Sequence, residues 1–256
     1  MELNPNDMSP EKLIKLRKLG INRLSIGIQS FQDHVLKFLG RLHSGEEAVR
    51  VFRDARNAGF ENISIDLMFG IPNQSLEDLK KDLETIIQLS PENVSIYSLI
   101  WEEGTVFWSK LQKGILSEMD QDLEAEMYEE IIDFLKKNGY VHYEISNFAK
   151  DKAYSKHNLK YWQYCDYLGF GAGAHSFFDS VRRANNRNVM PYARRIDCFE
   201  FPVVEEEVID FKRAREDYCF LNLRTKWGIS TVDFYNRFNI RLEDIYGSIL
   251  DNLIEK

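Results

Sequence analysis

Cysteine is scarce in this chain: three residues in 256, Cys165, Cys198 and Cys219, spaced 33 and 21 positions apart. An odd count at that spacing excludes a disulfide framework and matches no zinc pattern. Each cysteine reads as a small buried apolar side chain, and the compartment reads as reducing cytoplasm. Long apolar runs are also lacking. No stretch approaches the ~20 residues of a membrane-spanning helix, which leaves peripheral membrane contact at most. The start, MELNPNDMSPEKL, is polar and acidic and has no signal-peptide pattern. Positive charge is in deficit, with 33 Lys and Arg against 41 Asp and Glu for a net charge of −8. No basic face stands out, so an ordinary nucleic-acid binder is excluded.

What is present reads as an α/β protein large enough for one or two packed domains. RLSIGIQ (23–29), NISIDLMFG (62–70) and NVSIYSLI (93–100) are short, β-branched and bounded by polar residues or glycine, as strands are. Between them, 44–59 and 75–90 carry apolar residues at helical spacing. Ser44 with Glu47, and Ser75 with Asp78, stand as helix-capping pairs, and Gly59 closes the first helix. Strand and helix alternating at this spacing imply βαβ units around a parallel sheet. A helix is expected over 9–20. A long amphipathic helix over 119–139 ends in Lys136, Lys137 and Gly139, which suit its negative end and its cap. Aromatic and glycine-rich segments follow, then a basic RRANNRN, and the tail from Glu205 to Lys256 reads as helical and polar. Glu2 to Pro5 stands where a strand should end, so the simplest reading is a chain lacking earlier βα units. The end likewise stops within a helix. The division expected is 1–117, 118–200 and 201–256.

Ligands of parallel α/β folds bind beyond the C-terminal ends of the strands. Glu2, Gln29, Asp66 and the residues ending the third run stand there, with Arg41 and His43 in the loop before the next helix. Acids, an amide and a guanidinium around one mouth suit a zwitterionic ligand with hydroxyls. Taken singly, each also reads as a loop-capping acid, a solvated ion pair or a loop hydrogen-bonder.

Seven ordered motifs then carry a resemblance: ExNP, GINRLSIGIQSF, LGRLH, IDLMFGIP, YEISNFA, HNxxYW and GFGAGAHS. The chain resembles the coproporphyrinogen oxidase-like radical S-adenosylmethionine (SAM) family. HNxxYW, at His157, Asn158, Tyr161 and Trp162, looks like its heme-chaperone branch, HemW, rather than the true oxidase. The resemblance implies a partial (β/α)6 radical-SAM barrel, here its later strands only, followed by an α+β C-terminal region. It implies SAM and a 4Fe–4S cluster as the family's cofactors. Glu2, Gln29, Arg41 and Asp66 match its SAM-contacting positions, and Ile100 a position at the adenine. The family's cluster segment, CxxxCxxC, is not in the sequence, and Cys165, Cys198 and Cys219 show no such spacing. This chain alone is therefore expected to bind no cluster, to have no catalytic residue of its own and to be inactive alone.

In the heme-chaperone branch HNxxYW is associated with heme, which makes His157 the leading iron ligand, with Tyr161 and Trp162 to line a flat porphyrin. His175 is the weaker candidate. A packing histidine among core aromatics is the bland alternative. GFGAGAHS lacks the flanking strand and helix of a dinucleotide fingerprint, and its small residues instead suit a close chain crossing. The expected function is heme binding and delivery to an acceptor protein. The rivals are an oxygen-independent coproporphyrinogen III oxidase and a non-catalytic barrel remnant.

Overall fold

The computed structural model describes residues 1–150 and 152–254. The aliphatic runs form β2 (Arg23–Gln29), β3 (Asn62–Phe69) and β4 (Asn93–Ser98), and Glu2–Leu3 is a short β1 beside β2. The helices between them are α1 (Pro10–Lys18), α2 (Asp33–Phe38), α3 (Gly45–Asn57) and α4 (Leu76–Leu89). Both expected capping pairs are made: Ser44 and Glu47, and Ser75 and Asp78, exchange side-chain and backbone hydrogen bonds. Each such cap contributes about 1 kcal/mol, which is why these starts are legible in sequence. After β4 come α5 (Val106–Gln112), α6 (Gln121–Lys137) and the hairpin β5 (Val141–Glu144) and β6 (Asn147–Ala149).

The six strands form one sheet in the order β1-β2-β3-β4-β6-β5. The first four are parallel, and the hairpin joins β4 antiparallel. Strand alternation gives the sheet two unlike faces. Leu24, Ile26, Ile28, Ile63, Ile65, Leu67 and Val94 are wholly buried in one core with residues of α1, α3, α4 and α6. Each contributes about 1.5–3 kcal/mol on burial. Ser25, Gly27, Ser64, Asp66, Ser95 and Tyr97 alternate with them on the other face. One register row crosses that polar face: Gly27 opposite Asp66, Asp66 opposite Ser95, and Ser95 opposite Asn147.

The chain divides into two compact units at Tyr154/Ser155. The sequence had placed divisions at 117/118 and 200/201. The difference lies with α6, which buries Met127, Ile131 and Leu135 in the core of the first unit and packs on α4, β3 and β5.

The second unit begins with α7 (Lys156–Trp162) and continues through β7 (His175–Phe178), β8 (Val181–Asn185), α8 (Val189–Asp197), β9 (Val203–Val208), α9 (Phe211–Leu223), α10 (Thr231–Phe238) and α11 (Leu242–Ile254). Its three strands form an antiparallel sheet, β7-β8-β9. The tail read as helical from Glu205 therefore starts as a strand. The basic segment is β8, and its Arg182 and Arg183 pair across the ladder with Glu207 and Glu206. Opposite charges facing each other on neighbouring strands stabilise a ladder that neither segment signals alone. The core here is aromatic: Tyr164, Phe177, Tyr218, Phe234 and Phe238.

Candidate functional site

The polar face of the first sheet opens at its C-terminal edge into a cavity of about 250 Å³, lined by Glu2, Leu3, Asn4, Ser25, Gly27, Gln29 and Asp66. Three of the residues expected at the strand ends, Glu2, Gln29 and Asp66, thus share one cavity. The Ser25 hydroxyl donates to Asp66, 3.0 and 3.2 Å from its two carboxylate oxygens. Burial pushes the Asp66 carboxyl up to about 6, against the hydroxyls of Ser25 and Ser95, which favour the anion. The Glu2 charge adds to the rise and Arg23 opposes it. Gly27 keeps the floor open: a Cβ there would stand 3.1 Å from Gln29 Nε2 and 3.5 Å from Asn4 Oδ1. Gln29 itself has φ 74, in the left-handed region, where the register slips between Gly27 and Gln29.

Arg41 does not line this cavity. It reaches the rim by donating to Asn4 Oδ1 at 3.2 Å. Its neighbour His43 is buried, with Nε2 at 3.0 Å from the Ile28 carbonyl and Nδ1 at 3.3 Å from Asn6 Oδ1. Burial lowers its pKa, so it stands as a neutral bolt between loop and strand. Ile100 is 79% exposed beyond the end of β4 and lines a different hollow, of about 460 Å³, with Tyr97, Ser98, Glu124 and Tyr128.

Sequence reasoning missed Ser25, Ser95 and Asn147, which extend the polar row. Ser95 donates to Asn147 Oδ1 at 2.8 Å, and Asn147 donates in turn to Glu144. The available signal was the alternation itself, a small polar residue at every second position of an aliphatic run.

In the second unit, His157 lies on the exposed side of α7, neither buried nor bonded to the backbone. Its Nε2 is 2.8 Å from the Tyr161 hydroxyl, one helical turn on, and the two rings are perpendicular with centroids 5.0 Å apart. Tyr161 stands edge-on to Tyr167 at 4.6 Å. Trp162 is held elsewhere: the Arg224 guanidinium lies 4.5 Å above its ring. His175, on β7, is exposed, and its carbonyl oxygen would sit 2.1 Å from a Cβ on Gly169. The glycine segment is therefore a close crossing, as expected. The cysteines depart from expectation, since Cys198 is exposed and Cys165 and Cys219 are half-buried. Among the described residues no three His, Cys, Asp or Glu side chains gather as metal ligands. The donor set on this chain does not fit an iron–sulfur cluster.

A sequence model of the radical SAM superfamily matches residues 1–86. The whole chain is 42% identical to the heme chaperone HemW of Bacillus subtilis, covering 68% of that protein. It is 38% identical to HemW of Lactococcus lactis, covering 67%. Over 97% of its length it is 41% identical to a mouse mitochondrial radical S-adenosyl methionine domain-containing protein 1, covering 58%. The chain thus spans 58–68% of the length of these relatives. Among solved structures, Escherichia coli coproporphyrinogen III oxidase, HemN, superposes with a TM-score of 0.80 over 98% of this chain and 60% of its own, at 20% identity, which shows a shared fold.

Proposed function

The chain belongs to the HemW family of radical SAM proteins, and from that membership we propose that it binds heme through His157 and serves its delivery to an acceptor protein. The observation that carries this reading is the 42% identity to a heme chaperone across all 256 residues. The oxidase reading rests on a shared fold at 20% identity, and a fold hosts many functions.

The side chains suit these roles. His157 is exposed on its helix, open to a large flat ligand. Tyr161 engages Nε2, and a second partner on one ring nitrogen fixes ring orientation and tautomer in histidines that bind metal. In the tautomer whose Nε2–H donates to the Tyr161 oxygen, Nδ1 would keep its lone pair for an iron. Heme, when bound, supplies the iron. The chain supplies the imidazole and the tyrosine that orients it.

The cavity at Asp66 suits SAM. Carboxylates at Glu2 and Asp66 and the amide of Gln29 offer acceptors for ribose hydroxyls and an ammonium. Arg41, which donates to Asn4 at the rim, suits a carboxylate there. Ile100 is the exception, because its hollow is a separate one.

Heme titration of the full chain, followed by the Soret band, tests the reading. His157→Ala is expected to shift the band and weaken binding about tenfold or more, as loss of an iron–imidazole bond should. His175→Ala, and His34→Ala beside Asp78 in the first unit, are expected to leave both unchanged. An unaltered band and affinity in His157→Ala would overturn the assignment of the ligand.

A further inference from the structure

Asp82 lies on α4, outside the cavity, and is 1% exposed. Its carboxylate gathers the segment after β2. Ser30 Oγ donates to Oδ2 at 2.7 Å, and the Phe31 amide and Gln32 Nε2 both donate to Oδ1 at 2.9 Å. Ser30 Oγ also accepts from the Gln32 amide at 3.0 Å, which closes the network. Among the described residues no cation pairs with it: burial raises the carboxyl's pKa, the three donors oppose the rise, and the charged neighbour, Asp78, adds to it. A buried carboxylate without a counter-ion is expensive unless hydrogen bonds hold it, and these three come from one short segment.

That segment is clamped from its other side as well. A Cβ on Gly45, at the start of α3, would lie 2.1 Å from the Phe31 carbonyl oxygen, and the Gly45 amide donates to Asp33 Oδ1 at 2.8 Å. Residues 30–33 are thus fixed between the first turn of α3 and the middle of α4. Gln29, the residue immediately before them, has φ 74. A non-glycine residue keeps that conformation only where its surroundings impose it. Its side chain lines the cavity with Glu2 and Asp66.

We infer that Asp82 is the positioning residue of this cavity, holding Gln29 in its left-handed turn through residues 30–32 and so setting where the Gln29 amide meets the ligand. The ligand itself, SAM, rests on the reading of the cavity given above, whereas the placement of Gln29 does not. Asp82→Asn keeps the side-chain volume and turns one acceptor into a donor aimed at the Ser30 hydroxyl. Ser30→Ala removes one donor to Asp82 together with the acceptor of the Gln32 amide, leaves the other two donors in place, and is the milder variant.

Two measurements on the full chain separate the claims. The first is the side-chain amide resonance of Gln29, which has no contact with Asp82, with the Asn93 amide on the same sheet as control. Asp82→Asn is expected to move the Gln29 signal and leave Asn93 in place, and Ser30→Ala to move it less. The second is SAM affinity by calorimetry, well below each variant's unfolding temperature, expected to fall about tenfold in Asp82→Asn. An unmoved Gln29 signal in the folded variants, or wild-type SAM affinity in Asp82→Asn, would overturn the inference. If the wild-type chain takes up no SAM, the reading of the cavity fails, and the Gln29 signal alone decides the role of Asp82. If Asp82→Asn does not fold, Ser30→Ala decides it.

Discussion

Replacing Asp66 by asparagine should stabilise the first unit at neutral pH and leave it unchanged in acid. The ordinary value for this carboxyl is 3.8, and burial brings it to about 6 in the fold. Below 3.8 the carboxyl is protonated in both folded and unfolded chains, so it contributes no difference. Between 3.8 and about 6 the unfolded chain releases its proton while the folded chain keeps it, so stability falls as pH rises. Above about 6 both forms are ionised and the loss is complete. The interval from 3.8 to about 6 corresponds to about 3 kcal/mol at most, since each tenfold in proton affinity is about 1.4 kcal/mol. Asparagine is nearly isosteric, and its amide still accepts from the Ser25 hydroxyl while its NH2 donates to Ser95. Denaturant melts of wild type and Asp66→Asn, compared at pH 3 and pH 8, test this. The variant is expected to match wild type at the lower pH and to exceed it by up to about 3 kcal/mol at the higher. A carboxyl-detected NMR titration should place the Asp66 midpoint near 6. A variant less stable than wild type at pH 8, or a difference constant across pH, would refute the reasoning. On the proposed reading of the cavity, the same substitution should weaken SAM binding, because the ligand's hydroxyls or ammonium lose a charged acceptor.

Gly169→Ala places a methyl carbon 2.1 Å from the His175 carbonyl oxygen, so backbone must move. A loss of about 2 kcal/mol is expected for the second unit in thermal melts, and an alanine variant within about 0.5 kcal/mol of wild type would show that the crossing is not tight. Anaerobic reconstitution with iron and sulfide should leave the chain without a 4Fe–4S cluster. About four irons per chain, lost on mutating Cys165, Cys198 or Cys219, would refute that expectation.

The elements that carry local signals were legible from the residues alone. β2, β3 and β4 announced themselves because each run is short, β-branched and bounded by polar residues or glycine. α3 and α4 did so because Ser44 and Ser75 stand before acids three residues on. Gln29 and Asp66 stood out as strand-end residues because parallel strands place their C-terminal ends at one edge, and both line one cavity. The family resemblance, carried by ordered motifs, held across the whole chain.

Other features depend on partners distant in sequence, and no local pattern encodes them. Val203–Val208 is a strand because Arg182 and Arg183 neutralise its glutamates from across the ladder. Residues after 117 belong to the first unit because α6 finds its apolar partners on α4 and β3. Ile100 lines a hollow with Tyr97, Ser98 and Glu124, and the cavity at Asp66 is lined without it. Asp82 is an ordinary helical aspartate in sequence. It becomes the anchor of Gln29's loop only when the fold carries Ser30, Phe31 and Gln32, about fifty positions earlier, within hydrogen-bond reach of one buried carboxylate. Composition and spacing determined which aliphatic runs are strands, which residues cap the helices and which stand at strand ends. Tertiary structure decided which of them meet, because contact between distant segments is a property of packing that short-range periodicity does not contain.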